Sequence, residues 1–361
     1  MTDYRIQDKA VREEYFYKYF LWSLKKFDCD SNLFLLNYIH TRMELNIEQR
    51  FWMAWLYGNT YQLATAWVLA NEFPDFENVD MERLTEWNNS NYKRLRYQSD
   101  QKWQKGHLPE MFVSYRENIK KFGGDQEHFF KAICSSEDPY ENFDRLYKYI
   151  IKNFYKFGRY SAWFYIQTLK ETCGLNVSSR TLLLEDENTH TQRAGLCYIN
   201  ALDFYAGDKQ SHKHKMLVDV LNVTAEMIVE DFNRTHPELR CDMFLLETCL
   251  CAFKKTFRKK KGRYLGYYLD RQYEDIKQVE SDGWFGIDFD LLWGGRNEIL
   301  DPKTIGGRYG VNKEDMKFFL NTGNIKYIEY MDNPNQMSIS AMQLNPKQAT
   351  NNACFNANNN A

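Results

Sequence analysis

The chain is predicted to be all-α, a multi-helix bundle. Proline and glycine are scarce, 7 and 18 in 361 residues, so few positions interrupt a helix. Apolar residues recur three and four apart through most of the length, the period of one buried helix face. The breaks between these runs are short, which places consecutive helices side by side and antiparallel. Hydrophobic residues at 43% and aromatic residues at 16% supply a sizeable core.

The first helix is expected over 3–27, with Tyr15, Phe16, Tyr19, Phe20, Trp22 and Leu24 inward. The stretch from Asp28 to Asn32 breaks it with side chains suited to an N-cap. Helices follow at 32–44, 47–57 and 61–72. Gly58-Asn59-Thr60 reads as a turn whose Thr60 caps the next helix, and Pro74 ends that helix. Trp52, Trp55, Tyr57, Tyr61 and Trp67 are assigned to the core. Residues 86–107 differ in character: Lys93, Arg94, Arg96, Lys102, Lys105 and His107 interleave with Tyr92, Tyr97 and Trp103. Mixed cations and aromatics suit a phosphate-contacting surface, and equally a solvated helix and loop.

Helices are expected at 110–121, 126–133 and 139–157, separated by Gly123-Gly124 and by Ser135–Pro139. Another opens at Phe157 and runs to 173. Residues 178–205 are chemically mixed, with Glu185, Asp186, Glu187, His190 and Arg193 following an apolar run. His212-Lys213-His214 reads as solvated loop and 215–236 as an amphipathic helix ending near His236-Pro237. A helix carrying Glu247 then runs to Gly262, a second continues to Ser281, and a third lies near 288–299. Residues 1–300 are read as one helical domain, 301–331 as an extension with a short helix, and 332–361 as a low-complexity, disordered tail rich in asparagine.

Bulk properties narrow the class. The eight cysteines include no CxxC pair, which predicts free thiols in a reducing compartment. No charged-then-apolar leader and no apolar run of about 18 residues is present, so a soluble, cytoplasmic protein with no membrane partner is expected. The formal net charge is -2, so any affinity for phosphate must be local.

One stretch has that character. No acidic residue lies between Glu247 and Asp270, and Lys254, Lys255, Arg258, Lys259, Lys260, Lys261 and Arg263 fall within ten residues. Concentrated cations repel one another unless an anion joins them. Lys254, Arg258 and Lys261 share a helix face apart from the apolar one. Gly262 fits a helix stop. Tyr264, Tyr267, Tyr268 and Arg271 then form a stripe, and tyrosines beside cations suit an unstacked base. The tripeptide Gly158-Arg159-Tyr160 recurs as Gly262-Arg263-Tyr264 and Gly307-Arg308-Tyr309; composition alone accounts for about 0.07 such tripeptides. Glycine at a helix entry allows close backbone approach, the helix start offers N–H groups to an anion, and arginine adds a bidentate fork. The plainer reading is a recurring helix-entry device with arginine solvated and tyrosine packed.

Several separated blocks carry a family resemblance: Glu44 to Arg50, Leu56 to Thr60, Asn71 to Pro74, Tyr92 to Tyr97 with Lys102-Trp103, Lys105 to Pro109, Phe157 to Ser161, Glu247 to Cys251, and Gly262 to Arg271. Across roughly 15–300 the chain resembles the alpha-glutamyl/putrescinyl thymine pyrophosphorylases of tailed bacteriophages, also called amino acid:DNA transferases. The resemblance implies a helical fold similar to helix-hairpin-helix DNA glycosylases. It also implies a reaction on DNA whose 5-hydroxymethyluracil has been pyrophosphorylated by an upstream kinase, with pyrophosphate replaced by an amino acid or polyamine.

Such a reaction needs an extruded base, neutralisation of the leaving pyrophosphate by cations or a divalent metal, and a neutral attacking amine. Arg159, Lys254, Lys255, Arg258, Lys261 and Arg263 are the candidates for phosphate, with Arg94, Arg96, Lys102 and Lys105 for the DNA backbone. Tyr160, Tyr264 and Tyr268 are candidates for stacking. Asp186, Glu185, His190 or Asp270 is expected to be the base. Glu247 is the alternative that orients an arginine, and Arg193 is the candidate for a donor carboxylate. No cofactor is firmly implied. A non-catalytic DNA-binding scaffold and a glycosylase-type enzyme are the competing classes.

Overall fold

Helix starts in this chain are fixed by acidic and amide side chains that accept the first free N–H groups. The computed structural model describes residues 9–29, 31–98, 101–185, 189–202, 212–256 and 265–300. Asn46 and Gln49 cap one helix reciprocally at 3.0 Å each. Asp80, Asp125 and Asp138 accept the N–H of Arg83, His128 and Tyr140.

Among the described residues there are fourteen α-helices and no strand, as the composition predicts. They are α1 Lys9–Lys25, α2 Ser31–Arg42, α3 Ile47–Thr60, α4 Leu63–Glu72, α5 Met81–Asn91, α6 Leu108–Lys120, α7 Gln126–Ile133, α8 Pro139–Asn153, α9 Arg159–Cys173, α10 His190–Ile199, α11 His212–Thr235, α12 Met243–Thr256, α13 Tyr267–Ser281 and α14 Asp290–Ile299, with 3-10 turns at Lys102–His107 and Pro237–Leu239. None of these helices is long and apolar enough to cross a membrane. Seven cysteines are described and all are free.

The most extensive helix contact is between α3 and α9, followed by α10 against α12. Gly58 permits the first: a Cβ there would lie 2.8 Å from Tyr165 Cδ2, inside van der Waals contact. Around this seam Trp52 stacks on Trp55 at 5.2 Å and Trp55 on Tyr115 at 5.0 Å. A second aromatic cluster joins α1 to α12, where Tyr15, Phe16 and Tyr19 surround Phe253. Burying an aromatic side chain of this kind is worth about 1.5–3 kcal/mol, so the two clusters fix α12 and α9 firmly.

Two local expectations are corrected. Gly58-Asn59-Thr60 is the last turn of α3, not a loop. Asn59 Nδ2 and Thr60 Oγ1 donate back to Trp55 O and Leu56 O at 2.8 and 3.1 Å, so their polar side chains are satisfied without leaving the helix. The helix ends instead at Tyr61, which has φ 45°, and Gln62 caps α4 by accepting Thr65 N at 2.6 Å. Tyr61 is consequently half-buried, while Trp52, Trp55, Tyr57 and Trp67 lie in the core. Residues 212–214, expected as solvated loop, open α11, and His214 is buried. The boundaries drawn at 300 and 331, Gly262 and the Gly307-Arg308-Tyr309 tripeptide lie outside the described residues.

Candidate active site

Arg159 is the first residue of α9, and its side chain turns inward. Nη1 reaches Glu247 Oε1 on α12 at 3.4 Å, Nη2 donates to Leu182 O at 3.0 Å, and the guanidinium lies over the Trp163 ring at 4.9 Å. Gln192 in the first turn of α10 donates its Nε2 to the same Glu247 Oε1. Both side chains of the ion pair are buried, at 2% and 0% exposure. Burial pushes the Glu247 carboxyl up, and the opposing pull of Arg159 and Gln192 does not overcome it. Glu247 Oε2, Arg159 Nε and Gln192 Oε1 are buried with no hydrogen-bond partner among the described residues. Unsatisfied polar atoms on both partners of a buried pair are costly, and they concentrate here.

Neighbouring groups extend the cluster. Arg193 is buried and donates Nη1 to Leu184 O at 2.6 Å and to Thr189 Oγ1 at 3.0 Å. Two buried arginines thus grip the carbonyls of Leu182 and Leu184, fixing the segment that ends at Glu185. Glu185 itself is exposed and accepts Asn222 Nδ2 at 3.1 Å. Lys254, two helical turns beyond Glu247 on α12, is buried, and its Nζ lies 3.2 Å from Nδ1 of the exposed His190. With the ammonium donating, Nδ1 accepts and the ring proton sits on Nε2. Lys255 Nζ lies 3.3 Å from Cys251 Sγ.

Residues 102–107 are tied to the same place. Gln101 and Gln104 donate to Ser161 Oγ at 3.3 and 3.1 Å, which anchors the segment carrying Lys102 and Lys105 to the first turn of α9. Lys102 is exposed. Partial burial, and then Arg96, holds the Lys105 ammonium below its usual value, the condition of a cation that would gain from an anion. Arg94 and Arg96 are otherwise engaged. Arg94 stacks on Trp284 at 4.2 Å and donates to Asp282 O, and Arg96 makes a two-pronged bridge to Asp282 at 2.6 and 2.8 Å.

A cleft opens between α2, α3, α9 and α13. Tyr57, Tyr61, Phe164 and Tyr268 wall it, and Arg271 and Asp275 stand in it, paired at 2.7 Å. Burial lifts the Asp275 carboxyl above its ordinary value, against the pull of Arg271 and Arg96. Tyr160 packs on Tyr61 and Phe164 at 5.9 and 4.6 Å, behind the cleft wall. Burial raises the Tyr61 hydroxyl, with added repulsion from Tyr57, Tyr160, Tyr268 and Glu247. Tyr61 therefore stands within electrostatic reach of both the cleft and the Glu247 cluster. Helix α13, which carries Tyr268, Arg271 and Asp275, is held at its start by buried Asp28, whose Oδ1 accepts the N–H of Tyr268 and Leu269 at 3.0 and 3.1 Å. Asp270 is buried in the same turn.

The structure thus pairs Arg159 with Glu247, ties Arg193 to the adjoining 182–184 segment, and sets His190 against Lys254 two turns along α12, with Lys102 and Lys105 on a segment attached to α9. Glu185, Asp270, Arg94 and Arg96 stand apart from that cluster, Tyr268 belongs to the cleft, and Tyr160 lies behind the cleft wall. Asp186, Arg258, Lys261, Arg263 and Tyr264 lie outside the described residues. Gln192, Tyr61 and Asp275 join the site without having been candidates on sequence. The i,i+4 spacing of Arg271 and Asp275 is the available signal for the last; a neutral glutamine and a core-like tyrosine offer none. No three of His, Cys, Asp and Glu come together as a metal site among the described residues.

Residues 33–261, which contain every member of the Arg159–Glu247 cluster, match the family model for the amino acid:DNA transferases. The chain is also 24% identical over 326 residues to a serinyltransferase of Salmonella phage ViI, covering 85% of this chain and 78% of that relative. This chain belongs to the amino acid:DNA transferase family, and is a DNA-modifying transferase.

Proposed function

We propose, with that family membership as premise, that the chain displaces pyrophosphate from 5-(pyrophosphoryloxymethyl)uracil in double-stranded DNA with the amine of an amino acid or polyamine. The amine nitrogen attacks the CH2 on C5 of the ring, the C–N bond forms, and the C–O bond breaks with its electron pair leaving on pyrophosphate. The observation that carries this reading is the buried Arg159–Glu247–Gln192 cluster beside Lys254 and His190. It is an expensive arrangement for stability alone, and it is the arrangement expected where charge must be positioned before the reaction.

Glu247 and Arg159 are positioning residues in this reading, since each is engaged by the other and by Gln192 or Leu182 O within the core. They hold α9, α10 and α12 in register and fix the 182–185 segment. Lys254 and Lys255, with Arg258, Lys261 and Arg263 of the same basic run, neutralise the departing pyrophosphate. His190, exposed, takes on Nδ1 the proton lost by the ammonium that forms on attack, once Lys254 turns from that nitrogen to the pyrophosphate. Lys102 and Lys105 meet the DNA backbone.

Nucleoside mass spectrometry tests the proposal. DNA carrying phosphorylated 5-hydroxymethyluracil is incubated with the protein and a mixture of amines, then digested. A nucleoside with the mass of an amine adduct is expected, with stoichiometric pyrophosphate. Unchanged nucleosides with salt-sensitive DNA binding would leave only a scaffold, and abasic sites would indicate base excision.

A further inference from the structure

Resting on the reading above that an amine donor is consumed, we propose that the cleft between α2, α3, α9 and α13 is the donor subsite. It takes a small free α-amino acid as its zwitterion, carboxylate on Arg271 and ammonium on Asp275.

Charge is the first argument. Arg271 and Asp275 present opposite charges side by side, with Arg271 Nε 2.7 Å from Asp275 Oδ1. A zwitterion laid antiparallel against this pair meets both charges at once. Asp275 engages Nε of Arg271 and Tyr267 also hydrogen-bonds this side chain, but a guanidinium carries five N–H donors, enough to meet a carboxylate as well. Arg271 is 45% exposed at the mouth and Asp275 15% exposed further in, so the carboxylate stays outward and the amine points in.

The same pair excludes the other ligands of the reaction. Asp275 repels a phosphate or pyrophosphate, which belongs with Lys254 and Lys255. A diamine would satisfy Asp275 and set a second cation against Arg271. Size sets the side chain: the cleft holds a cavity of ≈ 40 Å³, room for about three waters. Tyr57, Tyr61, Phe164 and Tyr268 close it on the sides. Glycine, alanine or serine suits that space.

Direction is the last argument. Phe164 of the cleft wall stands on α9, whose first residue Arg159 holds Glu247, so one helix joins the cleft to the buried cluster. Burial makes Asp275 a better proton acceptor than an exposed carboxylate. Asp275 takes one proton from the ammonium, leaving a neutral amine. The nitrogen then attacks the CH2, pyrophosphate departs with the C–O electron pair, and the secondary ammonium so formed passes its extra proton to His190.

Calorimetric titration of the full chain, without DNA, tests the site using serine, glycine, serinamide, putrescine and inorganic pyrophosphate. Saturable binding of serine and glycine is expected, with serinamide, putrescine and pyrophosphate at least tenfold weaker at this site. Arg271→Lys, which keeps the charge and loses the fork, and Asp275→Asn are each expected to weaken serine at least tenfold while leaving DNA affinity unchanged. No saturable amino-acid binding, serinamide or putrescine binding as tightly as serine, or wild-type serine affinity in both variants would overturn the assignment. The wild-type ligand series decides the matter even where a variant fails to fold. Failure of the subsite and failure of the transferase reading separate cleanly. Adduct formation with unaltered amine KM in both variants sinks only the subsite, whereas Arg271-dependent serine binding without any adduct sinks only the proposed reaction.

Discussion

Replacing Asp28 by asparagine should remove a pH dependence of stability that the wild-type chain shows between about pH 4 and pH 7. Asp28 is fully buried at the start of α13, and burial pushes its carboxyl up to about 7 despite the backbone N–H groups that pull it down. Its Oδ2 meets no partner among the described residues. In the unfolded chain the group titrates at its ordinary value near 3.8. Between those values the native state holds a proton that the unfolded state has lost, so stability falls as pH rises and levels off above about 7. The displacement of about three pH units corresponds to about 4 kcal/mol, roughly 2 of it between pH 5 and pH 7. Asparagine keeps an oxygen for the N–H of Tyr268 and Leu269 and carries no charge. Its amide nitrogen, where Oδ2 now stands, costs about 1–3 kcal/mol if unpaired, independent of pH. His40, pushed down to about 4 by burial, contributes the opposite slope, losing stability as pH falls below about 6.5. It is common to both proteins and cancels in the difference. Denaturant unfolding of wild type and variant across pH 5–8 at fixed ionic strength is the assay. The variant should gain steadily on the wild type as pH rises. A difference constant to within about 0.5 kcal/mol would mean that Asp28 ionises near its ordinary value and that the capped α13 start outweighs burial.

Glu247→Ala should cost about 3–5 kcal/mol, because it strands a buried guanidinium. Glu247→Gln should cost less and lower kcat for transfer while leaving KM for DNA unchanged; equal effects of the two variants on chemical unfolding and on kcat would deny Glu247 a positioning role. Gly58→Ala should lose about 1–3 kcal/mol by overpacking against Tyr165, read as a lower Tm; an unchanged Tm would show that α3 and α9 can separate freely. Lys102→Ala and Lys105→Ala should each reduce the salt dependence of DNA affinity, by about 0.9 in the slope of log K against log salt for each phosphate no longer neutralised. Arg94→Ala and Arg96→Ala should instead act on the Trp284–Asp282 corner, and a slope change as large as that of the lysines would place them on DNA.

Helical periodicity and punctuation are legible in the sequence because they are local. Residues 126–133 are bounded by Asp125 and Cys134 as expected, and the Asp80, Asp125 and Asp138 caps need only their own next turn. What periodicity cannot supply is the direction of a long polar side chain. Glu247 is read from the sequence as able to orient an arginine, but the sequence does not say which; the guanidinium that turns to it is that of Arg159, 88 residues away. Arg96 in the same way is spent on Asp282, 186 residues away. The failure at Gly58–Thr60 has a different cause. Glycine, asparagine and threonine favour a turn when isolated, but here α9 packs where a glycine is required and the two polar side chains bond back to the helix. Tertiary contact overrides local preference at the seam that positions the first turn of α9.

Sorting by charge ties the two halves of the site together and leads to a last prediction. A polyanionic duplex, a pyrophosphate and a zwitterion cannot all be held by net charge, since the whole chain carries only -2. The cations meant for phosphate, Lys254 and Lys255, stand on α12, while the cleft carries Arg271 and Asp275 in one-to-one balance on α13. Mobile ions screen the first arrangement strongly, because each phosphate contact releases counterions. They screen the second weakly, because the pair is neutral and its acidic half is only 15% exposed. KM for DNA should therefore climb steeply as salt is raised, whereas KM for the amino acid should change less than about twofold over the same range. Parallel salt dependence of both constants would mean that donor and DNA phosphate compete for the same cations, and that the cleft on α13 is not where the donor sits.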